Sequence, residues 1–200
     1  MALDTMFTTG RPEGGASRAP EGVPSVDQRQ YRQAISAFPT GVSVITTLTE
    51  GRPVGMTASS VTSLSLQPVL LLACISRRLP SHDAIKSSGR FAVNVLGEGM
   101  EKVARCFATP AENKFEDIPL VRKHELPVLE WAIAHFVCTL HDCLPGGDHT
   151  IFVGEVLDCG HRAGARPLLY FRSDFGEMAS ADRDAELLSG TWGAYLSAHT

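Results

Sequence analysis

The run Ala132-Ile133-Ala134-His135-Phe136-Val137-Cys138-Thr139-Leu140-His141 decides the fold class. Its even-numbered residues are all apolar, whereas the odd-numbered positions include two histidines and a threonine. A period of two is typical of a β-strand, because successive side chains of a strand point to opposite faces of the sheet. The run therefore predicts a strand with one entirely apolar face.

Short strand-like runs bounded by turn residues recur on both sides of this strand. The β-branched residues 42–47, the turn 50–53 and a second run from Val54 predict a hairpin. Further strands are predicted over 61–66, 69–76, 91–96, 150–157 and 167–172, with turns at 145–147 and at Gly160. Helical spacing is confined to 27–37, 81–88 and 100–108. Many short strands and few helices favour a closed or partly closed antiparallel barrel over a parallel α/β sheet.

The predicted helices have recognisable ends, and the chain has one expected core. Ser25 or Asp27 is the expected N-cap of the first helix, serines are the expected caps of the second, and Gly89 is its expected end. One domain is expected over residues 27–178. Residues 1–26 are rich in Gly, Pro, Ser and Thr and are predicted to be a flexible N-terminal arm rather than a signal peptide, and residues 179–200 form a C-terminal tail of unassigned role.

Composition excludes several classes of partner. The 200 residues carry 18 Lys and Arg against 22 Asp and Glu, a net charge of −4, without the basic stripe that binding to a phosphate backbone needs, so nucleic acid is not an expected partner. The longest apolar run, 69–75, is too short to cross a membrane. Five cysteines without a C-x-x-C pair indicate reduced thiols and a cytoplasmic location.

The motifs of the common catalytic classes are missing from this sequence. It has no Rossmann glycine fingerprint, no phosphate-binding P-loop, no nucleophile elbow and no H-E-x-x-H. A zinc site formed by histidines near Cys138 and Cys143 is not predicted. Cys138 and His141 differ in strand parity, and Cys143 is expected in the loop that leaves the strand.

Two polar segments are candidates for binding a ligand. Residues 57–65 hold six hydroxyl side chains, which suits either a flat, heteroatom-rich ligand such as a flavin ring or a solvent-facing edge strand. Residues 76–82, Ser-Arg-Arg-Leu-Pro-Ser-His, end a strand and open a helix. This second segment suits either an anion held by the helix dipole or a solvated arginine pair before a capped helix.

Five segments, in this order along the chain, resemble the flavin reductase-like family. They are Phe38-Pro39-Thr40-Gly41-Val42, residues 55–66, Gly89-Arg90-Phe91-Ala92-Val93-Asn94-Val95-Leu96, residues 147–156 beginning Gly-Asp-His, and Pro167-Leu168-Leu169-Tyr170-Phe171-Arg172. The resemblance covers roughly residues 30–178 and is specific to short-chain reductases that serve two-component monooxygenases. It implies a mainly β fold, a split β-barrel of the Greek-key, FMN-binding type with a few short helices, present as a homodimer with flavin in a groove near the subunit interface.

The resemblance also implies where the cofactors bind. The flavin ring is expected against Thr57, Ala58, Ser59 and Ser60, and the phosphate near the segment that contains Ser76, Arg77, Ser81 and His82. Phe91, Ala92, Val93 and Asn94 are expected to complete the groove, with Thr40, Gly41 and Met56 as further contacts. Ser59 stands where relatives often have Asn, which replaces a carboxamide donor by a hydroxyl.

Three further residues are implied on the nicotinamide side. His149 is expected beside the nicotinamide, where it would orient the ring, and it is the one expected catalytic residue; its structural alternative is a turn residue bonded to Asp148. Tyr170 and Arg172 are expected to line the same side, with Arg172 on the diphosphate or, alternatively, paired with Asp174. No metal is expected.

The implied function is that of an NAD(P)H:flavin oxidoreductase. Hydride transfer between nicotinamide and flavin needs no acid or base from the protein, which agrees with the missing catalytic motifs. The resemblance to reductases of oxygenase systems favours FAD over FMN. NADH is favoured over NADPH, because no arginine cluster for a 2′-phosphate stands out beyond Arg77 and Arg78. Reduced flavin would diffuse to a partner monooxygenase or halogenase. The alternatives are a non-catalytic flavin-binding electron carrier or redox-sensing module and, last, an oxidase of the pyridoxamine-phosphate type.

Overall fold

A curled antiparallel sheet organises the molecule. The computed structural model describes residues 26–111 and 113–178. In these residues the helices are α1 (Gln28–Ile35), α2 (Pro80–Ser88) and α3 (Glu101–Ala108). The strands are β1 (Thr40–Gly41), β2 (Ser43–Thr49), β3 (Arg52–Ala58), β4 (Val61–Leu66), β5 (Val69–Ser76), β6 (Arg90–Val95), β7 (Leu120–Lys123), β8 (Leu126–Leu129), β9 (Ala134–Gly146), β10 (His149–His161), β11 (Leu168–Phe171) and β12 (Asp174–Glu177).

Seven strands form the main sheet in the order β3-β2-β6-β9-β10-β5-β4, and all its pairings are antiparallel. Its two edge strands, β3 and β4, are consecutive in the chain and are joined only by Ser59 and Ser60. Three Cα steps span at most about 11 Å, whereas six strand spacings in a flat sheet cover about 29 Å. The sheet must therefore curl until its edges meet near Ser59 and Ser60, which gives the predicted barrel-like form.

The interior of the curl is filled by side chains from nearly every strand of the main sheet. The main cluster of buried residues comprises Ile45, Met56, Ala58, Leu71, Ala73, Ile75, Ile85, Phe91, Val93, Cys138 and Phe152. Gly154 makes this packing fit, because a Cβ there would lie 2.6 Å from Cζ of Phe91 and 2.8 Å from Cβ of Cys138. A second cluster, which includes Val44, Leu96 and Phe107, lies beneath α3.

The predicted elements are largely confirmed, with differences at the helix ends. Asp27 caps α1 as expected, since its carboxylate accepts the Gln30 N–H at 3.3 Å. Gly89 ends α2 with a φ of 65°. The serine N-cap predicted for α2 is wrong: the N-cap is Leu79, and Pro80 follows it, a residue that brings no N–H to satisfy.

The predicted turn at Gly160 is wrong. Gly160 lies inside β10, opposite His135, and a Cβ at this position would be 2.6 Å from Cε1 of that imidazole. The glycine therefore makes room for a ring instead of reversing the chain. Cys143 was expected in the exit loop, but β9 continues to Gly146, so Cys143 is within the strand and faces Phe152 across the pair.

Two small sheets flank the main one. Strands β7 and β8 form a hairpin that sequence reasoning missed, and β1, β11 and β12 form a three-stranded sheet. Arg172 and Ser173, with φ of 50° and 66°, make the tight turn between β11 and β12. The predicted arm, except Val26, and the predicted tail lie outside the described residues. Within the described residues, the helices are all too short or too polar to cross a lipid bilayer.

Candidate flavin and nicotinamide site

A pocket opens where β3 ends and the two edges of the curled sheet come together at Ser59 and Ser60. It has a volume of about 280 Å³ and is called the central pocket below. Its lining combines three residues predicted from the sequence, Thr57, Ala58 and Ser59, with Tyr170 from the flanking sheet. The remaining lining residues are Val42, Arg105, Ala108, Ser173 and Phe175. The structure thus brings the hydroxyl-rich segment and the β11 segment, more than a hundred residues apart in the chain, to one place.

A second pocket of about 480 Å³, the lateral pocket, adjoins the first. It includes the predicted residues Met56 and Ser81, and it shares Thr57 and Ala108 with the central pocket. The start of α2 and the chain around Lys114 form its outer side. Because the pockets share two residues, they form one groove, and the lateral volume falls in the range of about 300–1,000 Å³ that is usual for small-molecule sites.

The hydroxyl groups of this groove differ in what they can still bind. Thr57 Oγ1 donates to the Ala104 carbonyl at 2.6 Å, and Ser60 Oγ donates to the Cys74 carbonyl at 2.8 Å. Among the described residues, Ser59 Oγ has no hydrogen-bond partner. A hydroxyl without a protein partner can donate to or accept from a ligand, so Ser59 is the freest of the three.

Two cations, which sequence reasoning missed, line the groove. Lys114 Nζ lies 3.5 Å from the Gly55 carbonyl and 3.4 Å from the Phe107 carbonyl, and burial lowers the pKa of Lys114, an effect that the nearby Cys106 opposes. The Arg105 guanidinium stands 4.8 Å from the centre of the Phe175 ring. Arg105 could have been identified, because it lies beside the apolar residues of the predicted 100–108 helix. Lys114 lies in a stretch without periodicity, so nothing indicated it.

The predicted His149 begins β10 after the turn Gly147-Asp148. Its Nδ1 lies 2.7 Å from Oδ1 of Asp148, and its side chain is 43% exposed. The hydrogen bond and charge of His149 lower the pKa of the Asp148 carboxyl. A carboxylate at Nδ1 fixes the ring orientation, and among the described residues Nε2 has no hydrogen-bond partner.

His149 and the hydroxyl segment lie at the same end of the sheet. His149 pairs with Ser76 across β10 and β5, and the Arg77 N–H donates to the Asp148 carbonyl at 3.1 Å. Two residues before Ser76, the Cys74 N–H donates to the Ser60 carbonyl at 3.2 Å. Ser60 and His149 therefore stand on opposite sides of β5, about 10 Å apart in the direction across the strands.

Other predicted residues lie away from any accessible surface. Phe91, Ala92, Val93 and Asn94 have no exposed area, and β6 pairs on both sides, with β2 and β9. The Asn94 amide is fully engaged: Nδ2 donates to the Val44 carbonyl at 2.9 Å, and Oδ1 accepts the Leu129 N–H at 2.8 Å. These four residues lie inside the sheet, and their burial leaves a ligand no atom to contact.

His82 is also held inside the protein. It is 6% exposed, with Nδ1 2.7 Å from the Asp83 carboxylate and Nε2 2.9 Å from Thr150 Oγ1. Both ring nitrogens are therefore engaged in tying α2 to β10 and to its own neighbour. Neither is left for a phosphate in this arrangement.

Thr40, Gly41 and Arg172 lie on the flanking sheet. Thr40 pairs with Tyr170, and its buried Oγ1 has no hydrogen-bond partner among the described residues. Gly41 pairs with Leu169. The Arg172 guanidinium stands 5.1 Å from the Phe171 ring centre, and the described residues show no ion pair between Arg172 and Asp174.

Metal-binding groups are not assembled in the part of the chain that the structure describes. Those residues contain no group of three or more His, Cys, Asp or Glu side chains placed to hold an ion. All five cysteines are free thiols.

The described geometry agrees with what comparison with known proteins finds. The profile of the Flavin reductase like domain matches residues 35–179. This chain belongs to the flavin reductase-like family. The family prediction made from the five sequence segments is confirmed.

Individual relatives of this flavin reductase-like protein are reductases. It is 38% identical over 153 residues to the reductase component of 4-nitrophenol 4-monooxygenase/4-nitrocatechol 2-monooxygenase from Rhodococcus opacus, which covers 76% of this chain and 82% of the relative. It is 38% identical over 159 residues to an NADH-dependent FAD reductase from Streptomyces globisporus, which covers 76% of this chain and 87% of the relative.

A solved structure extends the similarity to the fold. The NADH:FAD oxidoreductase SgcE6 of Streptomyces globisporus C-1027, in complex with NAD and FAD fragments, has a TM-score of 0.74 and 38% identity, and the match covers 78% of this chain and 94% of that chain. The predicted mainly β split-barrel fold of this flavin reductase-like protein is confirmed.

The groove fits a flavin. It offers the Ser59 hydroxyl and the aromatic rings of Tyr170 and Phe175 in the central pocket, and the Lys114 cation in the lateral pocket. A heteroaromatic ring that carries several acceptors and an anionic tail needs this combination of donors, flat apolar surface and positive charge.

Proposed function

We propose that this protein is an NADH:flavin oxidoreductase that reduces FAD, with FMN as the alternative flavin, and supplies the reduced flavin to a partner monooxygenase or halogenase. The observation that carries the proposal is the groove beside Thr57, where the Ser59 hydroxyl and two aromatic rings of the central pocket adjoin the half-buried Lys114 of the lateral pocket, in a member of the flavin reductase-like family. The two relatives described above are named as a monooxygenase reductase component and an NADH-dependent FAD reductase, and these names support the proposed activity.

The flavin ring is assigned to the closure of the barrel. Thr57, Ala58, Ser59 and Ser60 form the floor, because their short side chains let a flat ring approach the backbone. Ser59 is the hydroxyl free to bond a ring heteroatom. Lys114 faces the same space from the lateral pocket.

The phosphate of the flavin is assigned to the segment between β5 and α2. Ser76 and Arg77 stand at the end of β5, and Ser81 lines the lateral pocket at the start of α2. Backbone N–H groups at a helix start attract anions. His82 is left out of this assignment because both its ring nitrogens are engaged within the protein.

His149 is assigned to the nicotinamide. In the tautomer whose Nδ1–H donates to Asp148, His149 presents Nε2 as an acceptor, which suits the N–H of a carboxamide. Asp148 is a positioning residue here, since it acts on the ligand only through His149. Tyr170 is assigned to the nicotinamide as well, and it provides an aromatic face in the central pocket, whose lining does not include His149.

The chain supplies binding and orientation, not acid–base chemistry. Bound together, the two groups would supply a hydride transfer from the dihydronicotinamide to the flavin, with one proton taken up from solvent. Orienting two rings and excluding water between them accounts for the catalytic contribution asked of Ser59, His149 and Tyr170. No side chain has to change its protonation state.

Release of reduced flavin, the dimer and the location complete the proposal. The groove opens to solvent, which suits a flavin that leaves by diffusion to its oxygenase.

A homodimer is supported by the family resemblance and by Leu64, Leu66 and Val69, exposed apolar residues on and beside the edge strand β4. The free thiols are consistent with the cytoplasm. Sedimentation equilibrium of the wild type and of Leu66→Asp tests the dimer, since a charge in its interface would give monomers.

Steady-state kinetics tests the activity. NADH consumption under air, measured with FAD, FMN or no flavin and repeated with NADPH, should saturate with FAD and depend on NADH. Tight flavin binding without consumption of either dinucleotide would instead identify a non-catalytic flavin-binding module.

Two variants test the site. His149→Ala should raise the KM for NADH or slow hydride transfer and leave FAD affinity unchanged, while His161→Ala, an exposed histidine at the far end of the same strand, should change neither. The double variant Ser59→Leu/Ser60→Leu should abolish FAD binding with a folded circular dichroism spectrum, and Ser63→Leu on the exposed edge strand is its control. Retained FAD binding in the double variant would place the flavin elsewhere.

A further inference from the structure

A groove separate from the flavin groove lies between α1 and the β11–β12 turn. It has a volume of about 490 Å³, and we call it the α1 groove. The helix side of its lining includes Asp27, Arg29, Arg32 and Ser36, and the turn contributes Ser173. The Arg172 N–H donates to the Ser36 carbonyl at 2.8 Å, so the turn is fixed against the end of the helix.

The α1 groove is positively charged. Arg29 and Arg32 are three positions apart in α1, which places their side chains on neighbouring parts of the helix surface. Within residues 26–111 and 113–178, neither arginine has an ion-pair partner. The one carboxylate in the lining, Asp27, already accepts the Gln30 N–H as the helix cap. Two unpaired guanidinium groups in one groove are suited to bind phosphate oxygens.

The α1 groove adjoins the central pocket. Ser173 lines both of them, and Tyr170 and Phe175 line the central pocket on either side of this turn. A ligand whose planar ring occupies the central pocket and whose chain passes Ser173 would reach Arg29 and Arg32 with its next group. A dinucleotide has this form, with a planar ring at one end and a diphosphate in the middle.

The geometry points to Arg29 and Arg32 as a phosphate subsite for the adenosine-diphosphate half of the nicotinamide dinucleotide. This inference rests on the proposed function, in which His149 and Tyr170 are the residues assigned to the nicotinamide. The diphosphate of FAD has the same chemistry and is the other source the experiment must separate. The flavin phosphate was assigned above to the opposite end of the flavin groove, at Ser76 and Ser81, and this favours the nicotinamide dinucleotide at α1.

Equilibrium binding to the flavin-free protein tests the subsite without using its activity. The probes are NADH and reduced nicotinamide mononucleotide, which lacks the adenosine-phosphate half, followed by FAD and FMN. The test variant is Arg29→Ala/Arg32→Ala; alanine favours the exposed helix. The control Arg52→Ala/Arg122→Ala removes the same charge from exposed positions outside the groove.

The test variant should bind NADH about five- to tenfold more weakly, the loss expected for two charge-assisted contacts near solvent, and should bind the mononucleotide as the wild type does. Its NADH affinity should also lose most of the salt dependence of the wild type. The KM for NADH should rise by the same factor with kcat unchanged, and the control should match the wild type throughout.

Three results would overturn the inference. Unchanged NADH affinity would remove the subsite, an equal loss for NADH and for the mononucleotide would show an effect through the fold, and weaker binding of FAD but not of NADH would assign the arginines to the flavin. Failure of the proposed function has a different readout, since the wild type would then bind these probes without consuming NADH in the presence of any flavin.

Discussion

Replacing Asn94 with alanine distinguishes a structural from a ligand-binding role for strand β6. The Asn94 amide donates to the Val44 carbonyl at 2.9 Å and to Thr46 Oγ1 at 3.1 Å, and its Oδ1 accepts the Leu129 N–H at 2.8 Å. Asn94→Ala removes all three bonds, and it leaves the buried Leu129 N–H without its acceptor.

The cost follows from these contacts. A hydrogen bond contributes about 1 kcal/mol net, and a buried donor left without a partner costs about 1–3 kcal/mol. The two bonds donated by Nδ2 account for about 2 kcal/mol and the unpaired Leu129 N–H for about 1–3, so the free energy of unfolding of Asn94→Ala should fall by about 3–5 kcal/mol. In a chain of this size each 1 kcal/mol lowers Tm by about 2–4 °C, so a decrease of roughly 6–20 °C is expected.

Thermal unfolding followed by circular dichroism measures this shift, and FAD titration below the transition measures binding. FAD affinity of the folded variant should equal that of the wild type. Asn113→Ala is the matched control, because the Asn113 amide donates to Glu116 at 3.1 Å on an exposed loop and its loss should leave Tm almost unchanged. An unchanged Tm for Asn94→Ala together with weaker FAD binding would refute the reasoning.

Three further predictions concern the turn at His149 and the barrel interior. Asp148→Ala removes the acceptor 2.7 Å from His149 Nδ1 and should raise the KM for NADH about two- to fivefold in steady-state assays; an unchanged KM would contradict the positioning role. This hydrogen bond lowers the pKa of Asp148, so it stabilises the folded protein above the unfolded carboxyl's pKa of 3.8, and that stabilisation is lost as the pH falls through the folded value. The Tm difference between wild type and Asp148→Ala should therefore shrink in acid. Gly154→Ala puts a methyl group 2.8 Å from Cβ of Cys138 and should lower the free energy of unfolding by about 1–3 kcal/mol in urea titrations, whereas Gly176→Ala, with nothing within 4 Å of the new Cβ, should not; equal effects would show that the interior is loosely packed. Burial raises the pKa of the Cys138 thiol to about 12, so iodoacetamide should modify it only after unfolding, and its labelling in the native protein, detected by mass spectrometry, would contradict that burial.

Much of the sheet could be predicted because alternation and turn chemistry carry the information locally. Strands β4 and β5 begin and end where the pattern of 61–66 and 69–76 places them. The hairpin β7–β8 was not predicted, because its turn is made by His124 and Glu125. These are non-glycine residues with φ of 46° and 68°, and their residue types do not indicate a turn. At Gly160 a turn was predicted where the strand continues, because this glycine makes room for the His135 imidazole of the neighbouring strand.

The site was predictable in part for the same reason. The hydroxyl segment divides in the structure: Thr57 and Ser59 line the central pocket, whereas Thr62 and Ser63 face solvent on the edge strand. Local composition cannot separate these two halves, because the division depends on which residues stand where the sheet closes. Lys114 joins the groove only through tertiary packing, so no local pattern could have indicated it.

The most direct test of the central claim is anaerobic mixing of NADH with FAD in the presence of catalytic amounts of the protein. The absorbance of reduced nicotinamide and the visible absorbance of oxidised flavin should fall together, mole for mole, at a rate proportional to protein concentration. If both absorbances stay constant while FAD binds, the protein transfers no hydride, and the assignment as a flavin reductase is contradicted.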